Sequence, residues 1–111
     1  MKNKEQTKNT IKHFIETFNK NIGKTLYFKE AISTQKENFD RHFTSFSSTE
    51  FLLTNFTARI SGARIMFDGE KLNYEISLDR VISLEESECQ FIFIEAYSED
   101  VYRQTILKVI N

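Results

Sequence analysis

The sequence predicts an α+β domain with an amphipathic N-terminal helix, an antiparallel sheet of five to seven strands and a C-terminal helix. We expect the sheet to curl into a roll or a partial barrel. Apolar residues recur at helical spacing near both ends of the chain and alternate with polar residues between them. The 111 residues fit one domain, which we divide into a helix at 1–23, a β-roll at 24–97 and a helix at 98–111.

The first segment has the pattern of a helix that buries one face. Its apolar side chains fall at i, i+3, i+4, i+7 and i+11, at Ile11, Phe14, Ile15, Phe18 and Ile22. Gly23 follows this stripe, and glycine accepts the left-handed backbone that often ends a helix. We therefore expect the helix to end there.

From residue 24 the apolar period shortens to two, which is typical of strands. KTLYFKEAIS (24–33) predicts the first strand, in which Glu30 interrupts the inward-facing series. TQKENFDRHFTSFSS (34–48) allows two interpretations. Its capping-box form and its spaced phenylalanines favour a short helix, whereas its many short polar side chains favour a loop or an irregular strand. We favour a helix or an ordered loop.

The next segments alternate clearly between apolar and polar residues. TEFLLTNFTARI (49–60) predicts one strand, and ARIMF (63–67) predicts another. Asp68-Gly69 then favours a two-residue type I′ turn, after which the strand from Leu72 to Leu78 completes a hairpin. Two more strands follow, RVISLEE and CQFIFIEAY, of which the second is apolar on both faces, as in a central strand.

The tail SEDVYRQTILKVIN fits either a helix or a strand. Tyr102, Ile106 and Val109 have helical spacing, but alternate residues from Val101 also fit a strand. Ser98 has the chemistry of a helix cap, and the two acids that follow it suit the positive end of a helix dipole. These residues favour the helix.

Composition excludes several classes of function. The net charge of −1 disfavours a role dominated by polyanion binding. Cys89 is the single cysteine, so a disulfide within the chain or a CxxC metal or redox pair is excluded. The N-terminal residues lack the apolar run of a secretory signal, and no 18-residue apolar window predicts a membrane span. We expect a cytoplasmic protein.

No motif for catalysis, metal binding or cofactor binding stands out. His13 and His42 lack further ligands at metal-binding spacing. Glycine occurs at three positions only, 23, 62 and 69, so no glycine-rich phosphate loop exists. We therefore predict a protein that is not an enzyme and has no cofactor and no metal site. The remaining alternative, a small enzyme, would require a concave pocket with convergent polar groups.

Clustered residues predict a surface that binds another protein. Three phenylalanines stand in an otherwise polar segment, and three acids lie in a run that we interpret as a charged rim. These residues are Phe39, Phe43, Phe46, Glu85, Glu86 and Glu88. Such a surface is typical of a small regulator, adaptor or inhibitor, including those of mobile elements, and it would also serve a homo-oligomer.

The alternative is a small β-barrel that binds nucleic acid through its first helix. Residues 1–24 contain six lysines and two glutamates, a local balance of +4. The lysines that would contact phosphates are Lys4, Lys8, Lys12 and Lys20. Nucleic-acid binding is disfavoured because no aromatic or arginine residues are interleaved with these lysines on the same face.

Three segments resemble small bacterial pleckstrin-homology-like domains. They are EFLLTNFTARI (50–60), YEISLDRVISLEE (74–86) and FIFIEAYSEDVYRQTILKVI (91–110). The resemblance covers about residues 50–111 and implies strands closed by a C-terminal helix, with binding of proteins or lipids and no catalysis. The helix-first order and the FDG hairpin are also similar to Sm-like barrels, which bind RNA.

Overall fold

The computed structural model describes residues 4–34, 43–59 and 63–110. Within these ranges the chain forms one α-helix, α1 (Lys4–Thr17), and eight strands. The strands are β1 (Thr25–Ser33), β2 (Phe43–Leu52), β3 (Asn55–Arg59), β4 (Arg64–Asp68), β5 (Asn73–Ser77), β6 (Val81–Ser87), β7 (Gln90–Ser98) and β8 (Val101–Val109). In this described part of the chain, no helix has the length and apolar character needed to cross a bilayer.

The N-terminal helix is confirmed. After Thr17 the chain continues as a short 3₁₀ helix, Phe18–Asn21, and Gly23 follows with a φ of 95°. This value lies in the left-handed region that side chains with a Cβ rarely occupy. The glycine thus ends the helical segment at the expected position.

The strands form two antiparallel sheets instead of the single curled sheet that the sequence predicted. The larger sheet has the order β2-β1-β8-β7-β6, and the smaller one has the order β3-β4-β5. β1 pairs with β8, so the first and last strands are joined. Between β2 and β3, and between β5 and β6, the described residues form no ladder. The sheets therefore do not close into a barrel, and the predicted architecture is wrong in this respect.

The predicted C-terminal helix is also wrong, because residues 101–109 form β8. This strand lies between β1 and β7, so it is paired on both sides, and it buries Thr105 and Leu107. The Oγ atom of Ser98 accepts a hydrogen bond from the backbone N–H of Asp100 at 3.3 Å. The expected capping chemistry therefore serves the turn between β7 and β8 instead of the start of a helix.

The first strands differ from their predictions in their boundaries. Residues 35–42 of the ambiguous segment lie outside the described residues, and β2 begins at Phe43, where we favoured a helix or loop. The strand predicted over residues 49–60 is divided in two by Leu53, which is fully buried. The backbone of Leu53 bonds that of Gly23 and Lys24 at 2.8 and 2.9 Å, so the chain turns from one sheet to the other here.

The hairpin of β4 and β5 is confirmed, but its two-residue type I′ turn is wrong. Asp68 pairs with Asn73, and four residues connect the strands. Gly69 does not have a positive φ. A Cβ at this position would lie 2.7 Å from Cδ1 of Phe51, so the glycine allows a close approach of the turn to a ring.

The core lies between the two sheets and is completed by α1. Phe14 of α1 makes an edge contact with Phe93 of β7 at 5.2 Å between ring centroids. The buried cluster contains Phe14, Phe18, Leu26, Phe28, Leu53, Ile65, Phe67, Ile76, Leu84, Phe93 and Leu107. Further along the same inner face of the larger sheet, the buried residues become polar, with Thr105 and Glu95 fully enclosed. This polar end of the core positions the candidate site.

Candidate functional site

A cleft of about 550 Å³ opens beside β5, where the ladder between β5 and β6 is missing. β4, β5, the 3₁₀ helix Leu78–Arg80, β7 and β8 all contribute to it. We call it the β5 cleft, and its lining residues are Arg64, Asn73, Tyr74, Glu75, Ile76, Ser77, Arg80, Tyr97 and Arg103. Most of these side chains are polar or charged.

One lining residue, Arg103, forms an ionic cluster with Glu30 and Glu95, and we call this cluster the floor of the cleft. Strand register brings it together, because Arg103 lies opposite Glu95 on β7 and opposite Ile32, two residues from Glu30, on β1. The Nε atom of Arg103 donates to Glu95 Oε1 at 2.8 Å, and its Nη1 atom donates to Glu30 Oε1 at 2.9 Å. Glu95 is fully buried, so one guanidinium joins an enclosed carboxylate to a partly exposed one.

The ionic cluster also binds the free edge of β5. Arg103 Nη2 donates to the carbonyl oxygen of Glu75 at 2.8 Å, and the backbone N–H of Ser77 donates to Glu95 Oε2 at 3.0 Å. Backbone groups at a strand edge need partners when they are shielded from water. Side chains of the larger sheet thus replace a neighbouring strand and join the two sheets.

Two tyrosines complete the hydrogen bonds of the cluster. The Tyr74 hydroxyl donates to Glu30 Oε1 at 3.0 Å and lies 2.6 Å from Thr105 Oγ1, while the Tyr97 hydroxyl donates to Glu95 Oε2 at 2.8 Å. Every buried side-chain polar atom in the described part of the chain has a hydrogen-bond partner. The cluster is therefore satisfied by the protein's own groups, which favours a fixed geometry.

Burial and neighbouring charges shift the pKa values of Tyr74, Tyr97 and Arg103. Burial raises the pKa of Tyr97 to about 12, with a further contribution from the hydrogen bond to Glu95. Burial also raises the pKa of Tyr74, although the charge of Arg103 opposes it. For Arg103, burial lowers the pKa, but charge interactions with Tyr74 and Glu95 outweigh it and the net direction is upward. At neutral pH both tyrosines therefore donate hydrogen bonds, and Arg103 stays charged.

The rim of the cleft carries two guanidinium groups that are held loosely. Arg64 Nη1 lies 3.8 Å from Glu75 Oε2, and the two side chains are 58% and 40% exposed. Arg80 Cζ lies over the ring of Tyr97, 4.7 Å from its centroid, and Arg80 Nη1 lies 3.5 Å from the Tyr97 carbonyl oxygen, the outer limit of a hydrogen bond. Most N–H donors of Arg64 and Arg80 thus face the cleft or solvent.

The arrangement is suited to recognition of a polar group. Planar guanidinium groups bind carboxylates and phosphates in a fixed two-point geometry. No group of three or more His, Cys, Asp or Glu side chains that could hold a metal ion occurs within residues 4–34, 43–59 and 63–110. The arginines, tyrosines and Asn73 that line the cleft supply positive charge and hydrogen-bond donors.

The predicted protein-binding residues lie on two different strands, in a turn and outside the described residues. Phe39 lies outside the described residues, and Phe43 and Phe46 belong to β2, where only the backbone pairing is described. Glu85 and Glu86 are exposed strand residues of β6, and Glu88 is exposed in the turn after it. β2 and β6 are opposite edges of the larger sheet, about 20 Å apart. That the two groups form one binding surface stays a prediction.

The predicted nucleic-acid-binding residues lie on another element. Lys4 is the first residue of α1, and Lys8, Lys12 and Lys20 are exposed. None of them lines the β5 cleft. Their use in binding nucleic acid stays a prediction.

Glu30 and Glu95 stand out in the sequence, although the sequence alone does not place them in one site. Glu30 interrupts the inward series of its strand, and Glu95 is the single charge in the apolar strand FIFIEAY. A charged side chain on a buried strand face needs a partner of opposite charge. Both glutamates therefore indicate a positively charged side chain elsewhere in the chain. No such pattern marks Arg103, because its segment fits a helix as well as a strand.

Comparisons of the chain with models of protein families, with curated proteins and with solved structures found no match. The resemblance to pleckstrin-homology-like domains therefore stays a prediction. What the fold and the cleft define is a two-sheet antiparallel β protein with an N-terminal helix and a polar cleft between its sheets.

Proposed function

We propose that the protein is a non-catalytic binding module of the cytoplasm that contacts another protein through the β5 cleft. It would act there as a small regulator, adaptor or inhibitor. The observation that carries this proposal is the pair of loosely held arginines, Arg64 and Arg80, beside Tyr97 on a rigid floor.

The composition of the cleft favours a protein partner. Arginine and tyrosine are enriched at protein interfaces, and both are enriched, with tryptophan, among the residues that dominate binding energy. Pockets for small molecules are lined mostly by apolar side chains, whereas the β5 cleft is lined mainly by polar and charged ones. Tyr97 is 38% exposed, so it can contact a partner while its hydroxyl remains bonded to Glu95.

The ionic cluster supports binding without catalysis. Glu95 accepts hydrogen bonds from Ser77, Tyr97 and Arg103, so its oxygens are engaged within the protein. A general base needs an oxygen or nitrogen within reach of the substrate proton. The cluster instead supplies a fixed frame for the rim. This frame reduces the conformational-entropy cost of binding.

The experiment that tests the proposal blocks the cleft sterically. Asn73 is an exposed lining residue, and Asn19 is an exposed residue of the 3₁₀ helix that lies outside the cleft. We expect Asn73→Trp to lose a partner that the wild-type chain and Asn19→Trp both retain from a native cell extract. Quantitative mass spectrometry measures the retained proteins, and circular dichroism checks that both variants are folded. Retention of every partner by folded Asn73→Trp contradicts the proposal.

A second candidate function, nucleic-acid binding by α1, is favoured by the exposure of Lys8, Lys12 and Lys20. Phosphate contacts weaken steeply as salt rises, so binding of single- or double-stranded RNA or DNA should be strongest at low salt. Lys8→Glu/Lys12→Glu should then abolish it. If the wild-type chain binds none of these nucleic acids at low salt, this candidate is eliminated.

A further inference from the structure

We propose that the β5 cleft binds an oxyanion, a carboxylate or phosphate group carried by a segment of the partner protein, between Arg64 and Arg80. This inference rests on the proposed function and specifies the chemical group that the partner inserts. It follows from the free N–H donors at the rim, from the distribution of charge across the cleft and from the hydrogen bonds that engage Arg103 on the floor.

The donors of the two rim arginines are available to a ligand. Arg64 has a 3.8 Å contact with Glu75, which is longer than a hydrogen bond and largely exposed. Exposed ion pairs of this kind contribute from 0 to about 1 kcal/mol, so a ligand can displace Glu75 at little cost. Arg80 has one marginal bond to a carbonyl, and its cation–π contact with the Tyr97 ring does not use its N–H groups.

The net charges of the rim and the floor favour binding of the oxyanion at the rim. On the floor, Glu30 and Glu95 carry two negative charges against the one positive charge of Arg103, a net charge of −1. At the rim, Arg64 and Arg80 carry two positive charges against the one negative charge of Glu75, a net charge of +1. The floor therefore repels an anion and the rim attracts it.

The floor also explains why Arg103 does not serve as the ligand-binding arginine. Its Nε, Nη1 and Nη2 atoms all donate to protein oxygens at 2.8 to 2.9 Å. Releasing them would leave the buried Glu95 without its cation, which is costly. Arg103 positions the cleft, whereas Arg64 and Arg80 bind.

The test is a titration of the folded chain with three probes, monitored by nuclear magnetic resonance. The probes are inorganic phosphate, a phosphoserine peptide and a glutamate-rich peptide without phosphate. We expect the side-chain Nε–H signals of Arg64 and Arg80 to shift, and that of Arg103 to remain in place. The Arg64→Gln/Arg80→Gln variant should bind the effective probe roughly tenfold or more weakly, because charge-assisted hydrogen bonds are lost.

The matched control removes two positive charges elsewhere. Lys24 and Lys108 are exposed and lie outside the cleft, so Lys24→Gln/Lys108→Gln should bind like the wild-type chain. A response to phosphate and the phosphopeptide identifies a phosphate as the source of the oxyanion, and a response to the glutamate-rich peptide identifies a carboxylate.

Two results would overturn the inference. One is the absence of a response at Arg64 and Arg80 to all three probes, and the other is equal binding by the Arg64→Gln/Arg80→Gln variant. Either result leaves the Asn73→Trp experiment untouched, so the proposed function would stand without its oxyanion. Retention of partners by Asn73→Trp would instead remove the proposed function itself.

Discussion

At the scale of the residue, the protein depends on a charge that is enclosed in its interior. Glu95 is fully buried, and its carboxylate is neutralised by Arg103 and bonded by Tyr97 and Ser77. Burial of an unpaired charge is among the largest single penalties in protein stability. The stability of the polar end of the core therefore rests on Arg103.

The substitution Arg103→Leu tests this dependence. It leaves Glu95 buried without a cation, so we expect the free energy of unfolding to fall by about 3 to 5 kcal/mol. The control Arg64→Leu removes an arginine whose ion pair is exposed, and it should cost less than about 1 kcal/mol. Urea denaturation measures both values. Equal costs for the two variants contradict a structural role for the cluster.

Tyr97 makes the stability depend on pH in the alkaline range. Its pKa is raised from the ordinary value of 10.0 to about 12 in the folded chain. Between these values the unfolded chain releases the proton and the folded chain keeps it, so stability is complete below pH 10 and falls as pH rises toward 12. Tyr97→Phe should reduce this fall, although Tyr74 acts in the same direction. Urea denaturation from pH 10 to 12 measures the free energy of unfolding of both proteins. If this free energy falls equally steeply with pH in the wild-type chain and in Tyr97→Phe, the assignment is contradicted.

At the scale of the element, the turn between β6 and β7 is strained at Cys89. This residue has a φ of 56°, where the Cβ of most residues costs about 1 to 2 kcal/mol. Asparagine tolerates this conformation better, so Cys89→Asn should stabilise the fold by about 1 kcal/mol. Cys89→Ala keeps the strain and is the control. Thermal melting measures the difference, and equal melting temperatures for the two variants contradict it.

The turn between β4 and β5 needs a residue without a Cβ for a different reason. At Gly69 a Cβ would meet the ring of Phe51, which itself stacks on Phe28 at 5.4 Å. Gly69→Ala should therefore destabilise the fold by about 1 to 3 kcal/mol. In a double-mutant cycle, Phe51→Leu should recover part of this cost because it removes the ring. Strictly additive costs would show that the ring is not the obstacle.

Local patterns predicted most elements, but they did not decide the tail. The helix up to Gly23 and the hairpin of β4 and β5 follow from periodicity and turn residues within a few positions. Residues 98–110 carry both a helical and an alternating pattern, and Ser98 suits a cap or a turn equally. Pairing with β1, which is distant in sequence, decides for the strand.

At the scale of the whole molecule, the β5 cleft depends on pairings that no local pattern contains. Arg103 and Glu30 are 73 positions apart, and they meet because β8 lies between β1 and β7 in a particular register. The sequence shows two unexplained carboxylates on buried faces, but it does not show their common partner. The site therefore becomes visible only once the order and register of the strands are known.

The central claim is that this cleft, left open between two sheets, is the surface that binds another protein. Photo-crosslinking in the native cell tests it most directly, with benzoylphenylalanine in place of Asn73 and, as a control, in place of Asn19. We predict that position 73 forms a crosslink to a protein segment rich in acidic or phosphorylated residues, and that position 19 does not. No crosslink from position 73, or the same product in equal yield from position 19, would contradict the account.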